Sequence, residues 1–367
     1  MSIQYDMSEL ALKILAPSNC LLYDDKNLPS VMVKIPKLKM AQLISGWTDT
    51  DEVHPAFIVG NQTLDCIYIS KYQNVVNNGR AYSLPGVDPA SNLVWDDARG
   101  YCEAKGAGWH MMTAAEYALM ALICQANGFL PYGNNNYGKD SRDSVYEGIP
   151  CTWGTGDDAG KIYHILTGTG PITYSHNKQI DGVWDLNGNV SEWVGGKRTV
   201  YGELQLLANN NAADSENPQT KKATTWKAID ATTGAFVDPD VDSDGNYTGQ
   251  TTNSIKINKN GSAPQWDTTV STSSSSFNGE FANLTCSANI AAAAQLVLKK
   301  YLLLPASSGM TWDGDMNYFN NDADERLFYA GGNSTSGAYA GVAFSFGGGT
   351  RATKYATIGF RSAFAPL

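Results

Sequence analysis

The most constraining feature of the sequence is a short turn that lies between two tryptophans. Asn187-Gly188-Asn189 connects two strand-like pieces, and Trp184 and Trp193 lie on either side of it. Asparagine side chains hydrogen-bond to the backbone of such a turn, and indole rings pack beneath it. The pattern predicts a structural corner of a folded domain, formed by residues 181–193.

Residues 95–126 predict two helices joined by a glycine-containing turn. The first is expected at 95–105 and begins with acidic residues, which suit the positive end of the helix dipole. The second begins with a capping box, because Thr113 is followed three residues later by Glu116. Its end is expected at Ala126. Helices flanked by strand-like runs predict a mixed α+β arrangement of layers.

Composition divides the chain into four expected segments. Residues 1–45 begin as a helix, continue as an alternating strand, and are expected to form an N-terminal arm or attachment segment. Residues 46–196 are expected to be the first part of the core. Residues 197–310 are rich in Thr, Ser, Asn and Asp and predict a β-rich insertion that ends in a helix from Cys286 to Leu304. Residues 311–367, with few charges and many glycines and aromatics, are expected to complete the core.

Charge and hydropathy exclude two classes of partner. The formal net charge is −10 and only 17% of the residues are charged, whereas a nucleic-acid-binding protein needs a basic face. No run of about 18 apolar residues occurs, so no membrane span is expected. The first ten residues lack the basic and apolar regions of a secretory signal peptide. We therefore expect no nucleic acid, no membrane span and no signal peptide.

The residues offer little support for catalysis. The four histidines form no H-E-x-x-H pattern, and no G-x-S-x-G motif occurs. The six cysteines include no C-x-x-C pair, and most have apolar neighbours, so buried free thiols are expected, with one disulfide left open. Glycine (36) and tyrosine (19) are abundant, as they are in antibody binding loops, although an ordinary glycine-rich β protein would have the same composition.

Two stretches contain enough oxygen-bearing side chains to suggest structural calcium. One is the corner, where the candidate ligands are Asp185, Asn187, Asn189 and Glu192. The other is the alternating acidic stretch with candidate ligands Asp240, Asp242 and Asp244, which lacks the glutamate that completes a calcium loop. A structural corner and a solvated acidic turn are the respective alternatives, and no other cofactor is expected.

The corner resembles the G-x-x-D-x-x-G-N-V-x-E-W signature of the formylglycine-generating-enzyme (sulfatase-modifying-factor) family, a branch of the C-type lectin fold. Five further stretches resemble pieces of that family in the same order: 67–72, 94–102, 112–118, 130–134 and the closing G-F-R strand at 359–362. The resemblance implies an α+β, formylglycine-generating-enzyme-like C-type lectin fold, with 46–196 and 311–367 as its core and a β-rich insertion between them.

The catalytic residues of that family do not carry over to this sequence. Its enzymes use a cysteine pair near the C-terminal end, whereas the last cysteine here is Cys286. The four histidines do not form the ligand set that an iron-dependent relative would need. We therefore expect that the protein is not an enzyme, and a sulfatase-modifying-factor-like oxidase is the alternative.

The last forty residues resemble more closely the variable proteins of diversity-generating retroelements, a group that includes phage tropism determinants. Residues 326–332, 337–342 and 358–363 are similar to the fixed frame of their C-terminal repeat. In that family, adenine-directed mutagenesis yields mixtures of Ser, Thr, Tyr, Gly, Phe, Ala and Asn, which are the residue types found here. The candidate variable, ligand-binding residues are Tyr329, Asn333, Ser334, Thr335, Ser336, Tyr339, Phe344, Ser345, Phe346, Gly348, Gly349, Thr353, Tyr355 and Thr357. For Phe344 and Phe346 the alternative is that they are core residues.

The resemblance implies a phage or prophage adhesin, associated with a virion tail or a cell surface, that binds a protein or glycan on a bacterial or host cell. Aromatic anchors among small polar residues suit such a surface. A structural virion or surface protein without a variable site is the alternative from another class. Arg351 and Arg361 are expected to pair with acidic or backbone groups of the scaffold, and the oligomeric state is left open.

Overall fold

The computed structural model describes residues 3–306, 312 and 314–367. The helices in these residues are α1 (Ile3–Leu15), α2 (Met40–Leu43), α3 (Trp95–Glu103), α4 (Ala114–Ala126) and α5 (Ala292–Lys300). The predicted capping box of α4 is confirmed, because Thr113 Oγ1 accepts a hydrogen bond from the Glu116 amide and the Glu116 carboxylate accepts one from the Thr113 amide.

The predicted helix from Cys286 to Leu304 is too long. α5 begins only at Ala292, and Cys286 lies in a short strand. Ser287 Oγ accepts a hydrogen bond from the Asn289 amide, and Ser287 Oγ and Asn289 Nδ2 both donate to the Asp267 carboxylate. Such side-chain bonds compete with helix formation, so the chain turns before the helix begins.

Twenty-three strands occur in the described ranges. In the first half of the chain they are β1 (Asn19–Tyr23), β2 (Pro29–Pro36), β3 (Ile58–Val59), β4 (Gln62–Thr63), β5 (Cys66–Ser70), β6 (Val75–Asn77), β7 (Arg80–Tyr82), β8 (Trp109–Met111), β9 (Pro150–Trp153) and β10 (Ile162–Ile165). The others are β11 (Ser191–Val200), β12 (Glu203–Leu206), β13 (Lys227–Ile229), β14 (Phe236–Val237), β15 (Lys256–Asn260), β16 (Ala263–Asp267), β17 (Phe277–Glu280), β18 (Thr285–Cys286), β19 (Met316–Phe319), β20 (Arg326–Gly331), β21 (Gly341–Gly349), β22 (Ile358–Phe360) and β23 (Ser362–Phe364).

A five-stranded sheet joins the two ends of the chain, in the order β1-β2-β5-β23-β8. β23 lies between β5 and β8 and is antiparallel to both. Residues 1–45 were predicted to form an arm, but β1 and β2 belong to this sheet. The buried residues of β2 are Ser30, Met32, Val33 and Ile35. They lie on both faces of the strand, so the segment is packed into the folded domain.

A second sheet of twelve strands contains both the predicted insertion and the C-terminal strands. Its main path runs β17-β19-β21-β20-β11-β12-β15-β16-β18, with β22 parallel to β11. The predicted insertion therefore extends the sheet that holds the C-terminal strands. The boundary predicted at residue 310/311 lies outside the described residues.

The main core surrounds α4, in which every residue from Ala114 to Leu122 is buried. A second apolar cluster lies between α3 and the C-terminal strands and includes Trp95, Trp193 and Phe360. Strands dominate, with few helices among them, so the α+β prediction is confirmed at the level of fold class. Among the described residues no helix is long and apolar enough to cross a bilayer.

Candidate ligand-binding surface

A buried ion pair ties the predicted corner to the closing strand. Arg361 donates to the Glu192 carboxylate from Nε (2.9 Å) and Nη2 (2.7 Å), and both side chains are buried. The same guanidinium donates to the backbone carbonyls of Ser70 and Trp184. The prediction that Arg361 pairs with scaffold groups is confirmed.

β22 brings the two motifs together by pairing in parallel with β11. Glu192 lies opposite Gly359, and Trp193 lies opposite Phe360. A Cβ on Gly359 would come within 2.4 Å of the Ala90 carbonyl oxygen, so this position has room only for glycine. The Gly-Phe-Arg stretch is thus part of the packed frame beneath the C-terminal loops.

The corner residues proposed as calcium ligands already bond to the scaffold. Asn187 Oδ1 accepts from Asn135, and Asn189 Oδ1 accepts from Asn134 and from the Ile165 amide. Glu192 is engaged by Arg361 and Gln73. These oxygens therefore face different donors and do not converge on one point. Among the described residues no group of three or more His, Cys, Asp or Glu side chains could hold a metal ion.

Asp185 is the exception within the corner. Its side chain is buried, and Oδ1 has no hydrogen-bond partner among the described residues. Burial raises the pKa of this carboxyl to about 6. One such carboxyl, held at φ +60°, does not make a calcium site. The calcium prediction for the corner stays a prediction.

The second acidic stretch forms a tight turn. Asp242 Oδ1 accepts hydrogen bonds from the amides of Asp244 and Asn246, and the Asp244 carbonyl accepts one from Lys222. The Asp242 carboxylate therefore caps its own turn. This geometry favours the solvated acidic turn over a calcium loop, and calcium here also stays a prediction.

An aromatic cluster lies under the C-terminal loops. Phe346 stacks on Tyr329 with ring centroids 4.7 Å apart and planes 7° apart. Tyr329 meets Trp193 edge-on at 5.2 Å, and Tyr318 contacts both Phe346 and Phe344. Phe344 and Phe346 lie on the same face of β21, as the alternation predicts. We call these five residues the aromatic cluster.

Two loops carry the exposed part of the candidate surface. Tyr339 in the first loop and Tyr355 in the second are 53% and 61% exposed. The pKa of Tyr318 is raised mainly by burial and to a smaller extent by the neighbouring Tyr339. The pKa of Tyr329 is raised mainly by burial and to a smaller extent by Tyr355. Both exposed tyrosines therefore lie near the aromatic cluster, which extends from the core to the surface.

The fourteen candidate residues divide into three groups by exposure. Exposed ones are Thr335, Tyr339 and Tyr355; partly exposed ones are Asn333, Ser336, Phe346, Gly348, Thr353 and Thr357; buried ones are Tyr329, Ser334, Phe344, Ser345 and Gly349. The buried five do not present a surface to a ligand, in contrast to the prediction. Tyr329 and Phe344 belong to the aromatic cluster, and Ser345 points to the opposite face of β21, where Lys197 donates to it.

The loops are held at their bases by backbone bonds. The Tyr137 amide donates to the Ser334 carbonyl and the Gly337 amide to the Asn135 carbonyl, both at 2.7 Å. In the second loop, the Asn92 amide donates to the Tyr355 carbonyl. These backbone-to-backbone bonds do not depend on side-chain identity, whereas the side chains of Asn333, Ser336 and Thr353 also accept hydrogen bonds from loop amides.

Arg351 anchors the second loop and confirms the predicted scaffold pairing. It donates to both Glu325 oxygens, to Asp96 and to the Gln219 carbonyl. Its positive charge is therefore directed into the scaffold and away from the candidate surface.

Tyr318 is a member of the site that sequence reasoning missed. It pairs with Phe346 because β19 is parallel to β21. The two strands are separated by an intervening stretch of chain, and no local pattern indicates such a pairing. The alternation in Met316–Phe319 was the available signal.

No protein-family model matches the sequence, and no curated protein matches it either. Solved structures that are similar to part or all of the chain include the following two. PvdO from Pseudomonas aeruginosa is 21% identical, over 48% of this chain and 74% of that one, with a TM-score of 0.26. Treponema denticola variable protein 1 is 12% identical, over 96% of this chain and 100% of that one, with a TM-score of 0.34. At these values neither likeness carries an argument about fold or function.

Proposed function

We propose that this protein is a ligand-binding protein that displays a variable C-terminal surface on a C-type-lectin-like scaffold. The observation that carries the proposal is the contrast between buried and exposed residues within 329–361. Buried residues such as Gly359 and Arg361 form a tightly packed frame, whereas Tyr339 and Tyr355 are exposed on loops whose anchors are backbone bonds. A site that varies needs this division, because substitutions must change the surface without unfolding the frame.

The composition of the surface suits a flat contact with a macromolecule. Tyr339 and Tyr355 offer large rings with few rotatable bonds, and Thr335 offers a small hydroxyl group beside them. Exposed aromatic anchors surrounded by small polar residues give binding energy without a deep pocket. The partner we propose is a protein or glycan on a bacterial or host cell surface, and the role is that of a phage or prophage adhesin on a virion tail or cell surface.

Binding without catalysis is part of the proposal. Burial raises the pKa of the Cys20 thiol to about 11 and the pKa values of the Cys151 and Cys286 thiols to about 12. A thiol with a raised pKa is mostly protonated at neutral pH and is a poor nucleophile. All six cysteines are unpaired. An oxidase assay with a cysteine-containing peptide tests the alternative, and turnover would contradict the proposal.

Deep sequencing of codons 326–363 in a propagated population tests the diversification. We expect substitutions at exposed and partly exposed positions such as Tyr339, Phe346 and Tyr355, with Gly359 and Arg361 unchanged. An unchanged stretch would contradict a variable site, and substitutions spread equally over the frame would contradict the proposed division.

A binding experiment tests the surface itself. The purified protein is incubated with host cells, and bound protein is measured for Tyr339→Ser/Tyr355→Ser. The matched control is Tyr146→Ser, because Tyr146 is also exposed (67%) and lies outside the surface. Loss of binding in the double variant alone supports the proposal, whereas equal binding by all three proteins refutes it.

A further inference from the structure

A cavity lies mainly in the region that was predicted to be an insertion. Its volume is about 450 Å³, within the range of small-molecule sites. It lies between the β11–β12 turn, the loop at 221–222, the acidic turn and Asp324. Its lining residues are Arg198, Val200, Tyr201, Lys221, Lys222, Asp242, Asn246, Tyr247, Thr248 and Asp324. None of them belongs to the candidate surface described above.

Tyr201 holds an aromatic ring at this cavity under backbone strain. β11 and β12 are joined by Tyr201-Gly202, with φ values of +46° and +84°. Such a two-residue turn favours asparagine or glycine at its first position, because a bulky side chain with positive φ is strained. The residue at the first position of this turn is nevertheless a tyrosine, and Tyr201 is 40% exposed. A strained residue is a reason to look for a function that its side chain performs.

Positively charged side chains outnumber carboxylates in the lining of the cavity, three to two. Asp242 is occupied by its own turn, and Asp324 is paired with Lys221. Lys222 makes one hydrogen bond, to the Asp244 carbonyl, although an ammonium group has three hydrogens to donate. The carboxylates are thus engaged within the scaffold, while an ammonium group keeps spare donors.

Arg198 adds a buried guanidinium to the lining. Nη1 donates to Glu325 and to the Lys221 carbonyl, and the Trp226 ring centroid lies 4.3 Å from the guanidinium carbon. Nη2 is buried and has no partner among the residues the structure describes. Glu325 also serves Arg351, so one carboxylate is shared by two guanidinium groups. Burial lowers the pKa of Arg198 to about 10, although the nearby Glu325 carboxylate acts in the opposite direction.

We propose that this cavity binds a saccharide that carries a carboxylate, independently of the variable surface. The sugar carboxylate would be held by Lys222 and by the positive charge of Arg198, since charge-assisted bonds to a carboxylate are strong. The sugar hydroxyl groups would bond to Asn246 and Thr248. The exposed ring of Tyr201 would cover the apolar face of the sugar, which accounts for a tyrosine in a strained turn.

Ligand-observed saturation-transfer NMR with D-glucuronic acid tests the proposal, with D-glucose and inorganic phosphate as comparison probes. We expect saturable binding of glucuronic acid and at least tenfold weaker binding of glucose, which has the same ring without the carboxylate. Equal binding of glucose would overturn the proposal. Displacement of glucuronic acid by phosphate at equal concentration would also overturn it, since the cavity would then be a simple anion site. So would the lack of a saturable signal up to about 50 mM glucuronic acid, a concentration well above a roughly millimolar Kd.

Two variants separate binding from folding. Tyr201→Asn removes the ring and relieves the backbone strain, so we expect an unchanged or higher melting temperature together with at least tenfold weaker binding. Lys222→Gln should weaken binding about fivefold, whereas the control Lys259→Gln, outside the cavity on β15, should leave it unchanged. Undiminished binding by Tyr201→Asn and Lys222→Gln would refute the site, whatever the fate of the variable surface.

Discussion

Replacing Glu192 with glutamine should expose how much the buried frame depends on one ion pair. Arg361 is buried and donates two hydrogen bonds to Glu192. Its other partners are the neutral carbonyls of Ser70 and Trp184. Glu192→Gln therefore leaves a buried guanidinium without its carboxylate, although the shape of the side chain is kept.

The expected cost follows from this loss of charge compensation. Breaking a buried pair by neutralising one partner typically costs about 3–5 kcal/mol. Asp185 is close enough to Arg361 for their charges to interact. In Glu192→Gln it would therefore compensate part of the positive charge of the buried guanidinium group. We therefore expect a loss of about 3 kcal/mol, at the lower end of that range. This is a large fraction of the roughly 5–15 kcal/mol that stabilises a typical domain.

Urea unfolding followed by tryptophan fluorescence measures this loss. The midpoint should fall without a change in the m-value. Glu192→Met/Arg361→Met removes both members of the pair and should be more stable than Glu192→Gln, because the guanidinium group that Glu192→Gln leaves without its carboxylate is removed as well. The exposed pair Lys37–Asp65 is the control, and Asp65→Asn should not shift the midpoint measurably. A loss below about 1 kcal/mol for Glu192→Gln, with no gain in the double variant, would refute the reasoning.

Three further predictions concern the same frame. Asp185→Asn should raise the free energy of unfolding by about 3 kcal/mol at pH 8, because the pKa of Asp185 is about 6 when folded and its ordinary value is 3.8. Since the native carboxyl binds its proton more tightly, the gain should shrink as the pH falls below 6 and vanish below 4 in urea titrations. Gly359→Ala should cost about 1–3 kcal/mol by calorimetry, because its Cβ collides with the Ala90 carbonyl; an unchanged melting temperature would contradict the close packing. Phe344→Ser should cost about 3–5 kcal/mol because Phe344 is buried, whereas Tyr355→Ser should leave thermal stability unchanged, and equal losses would contradict the division into frame and surface.

Local signals in the sequence predicted local structure well. The Thr113–Glu116 capping box forms as expected, because both of its partners lie within one helical turn. The scaffold pairing of Arg351 and Arg361 is also confirmed. The predicted corner is supported by the buried hydrogen bonds of Asn189. In each case the side chain needs a hydrogen-bond or ion-pair partner when it is removed from water.

Pairings between strands that are distant in the sequence were not predicted. β1 and β2 belong to the domain because β2 pairs with β5, which in turn pairs with the C-terminal strand β23. The local sequence of 1–45 does not indicate these pairings. Tyr318 joined the aromatic cluster through a parallel strand pair, for which no local signal exists. The burial of Ser334 was missed because a small polar residue in a loop gives no indication of what packs over it.

The sequence by itself determined the α+β class, the capped helix, the corner and the arginines that need buried partners, since each depends on residues close in the chain or on a charge that cannot be buried alone. Only the tertiary structure decided which of the fourteen candidate residues reach the surface. It also decided that Tyr201 lies beside Arg198 and Lys222 at a common cavity. Exposure and cavities arise where segments distant in sequence meet, and the free energy that brings those segments together is shared among many weak contacts that no single motif encodes.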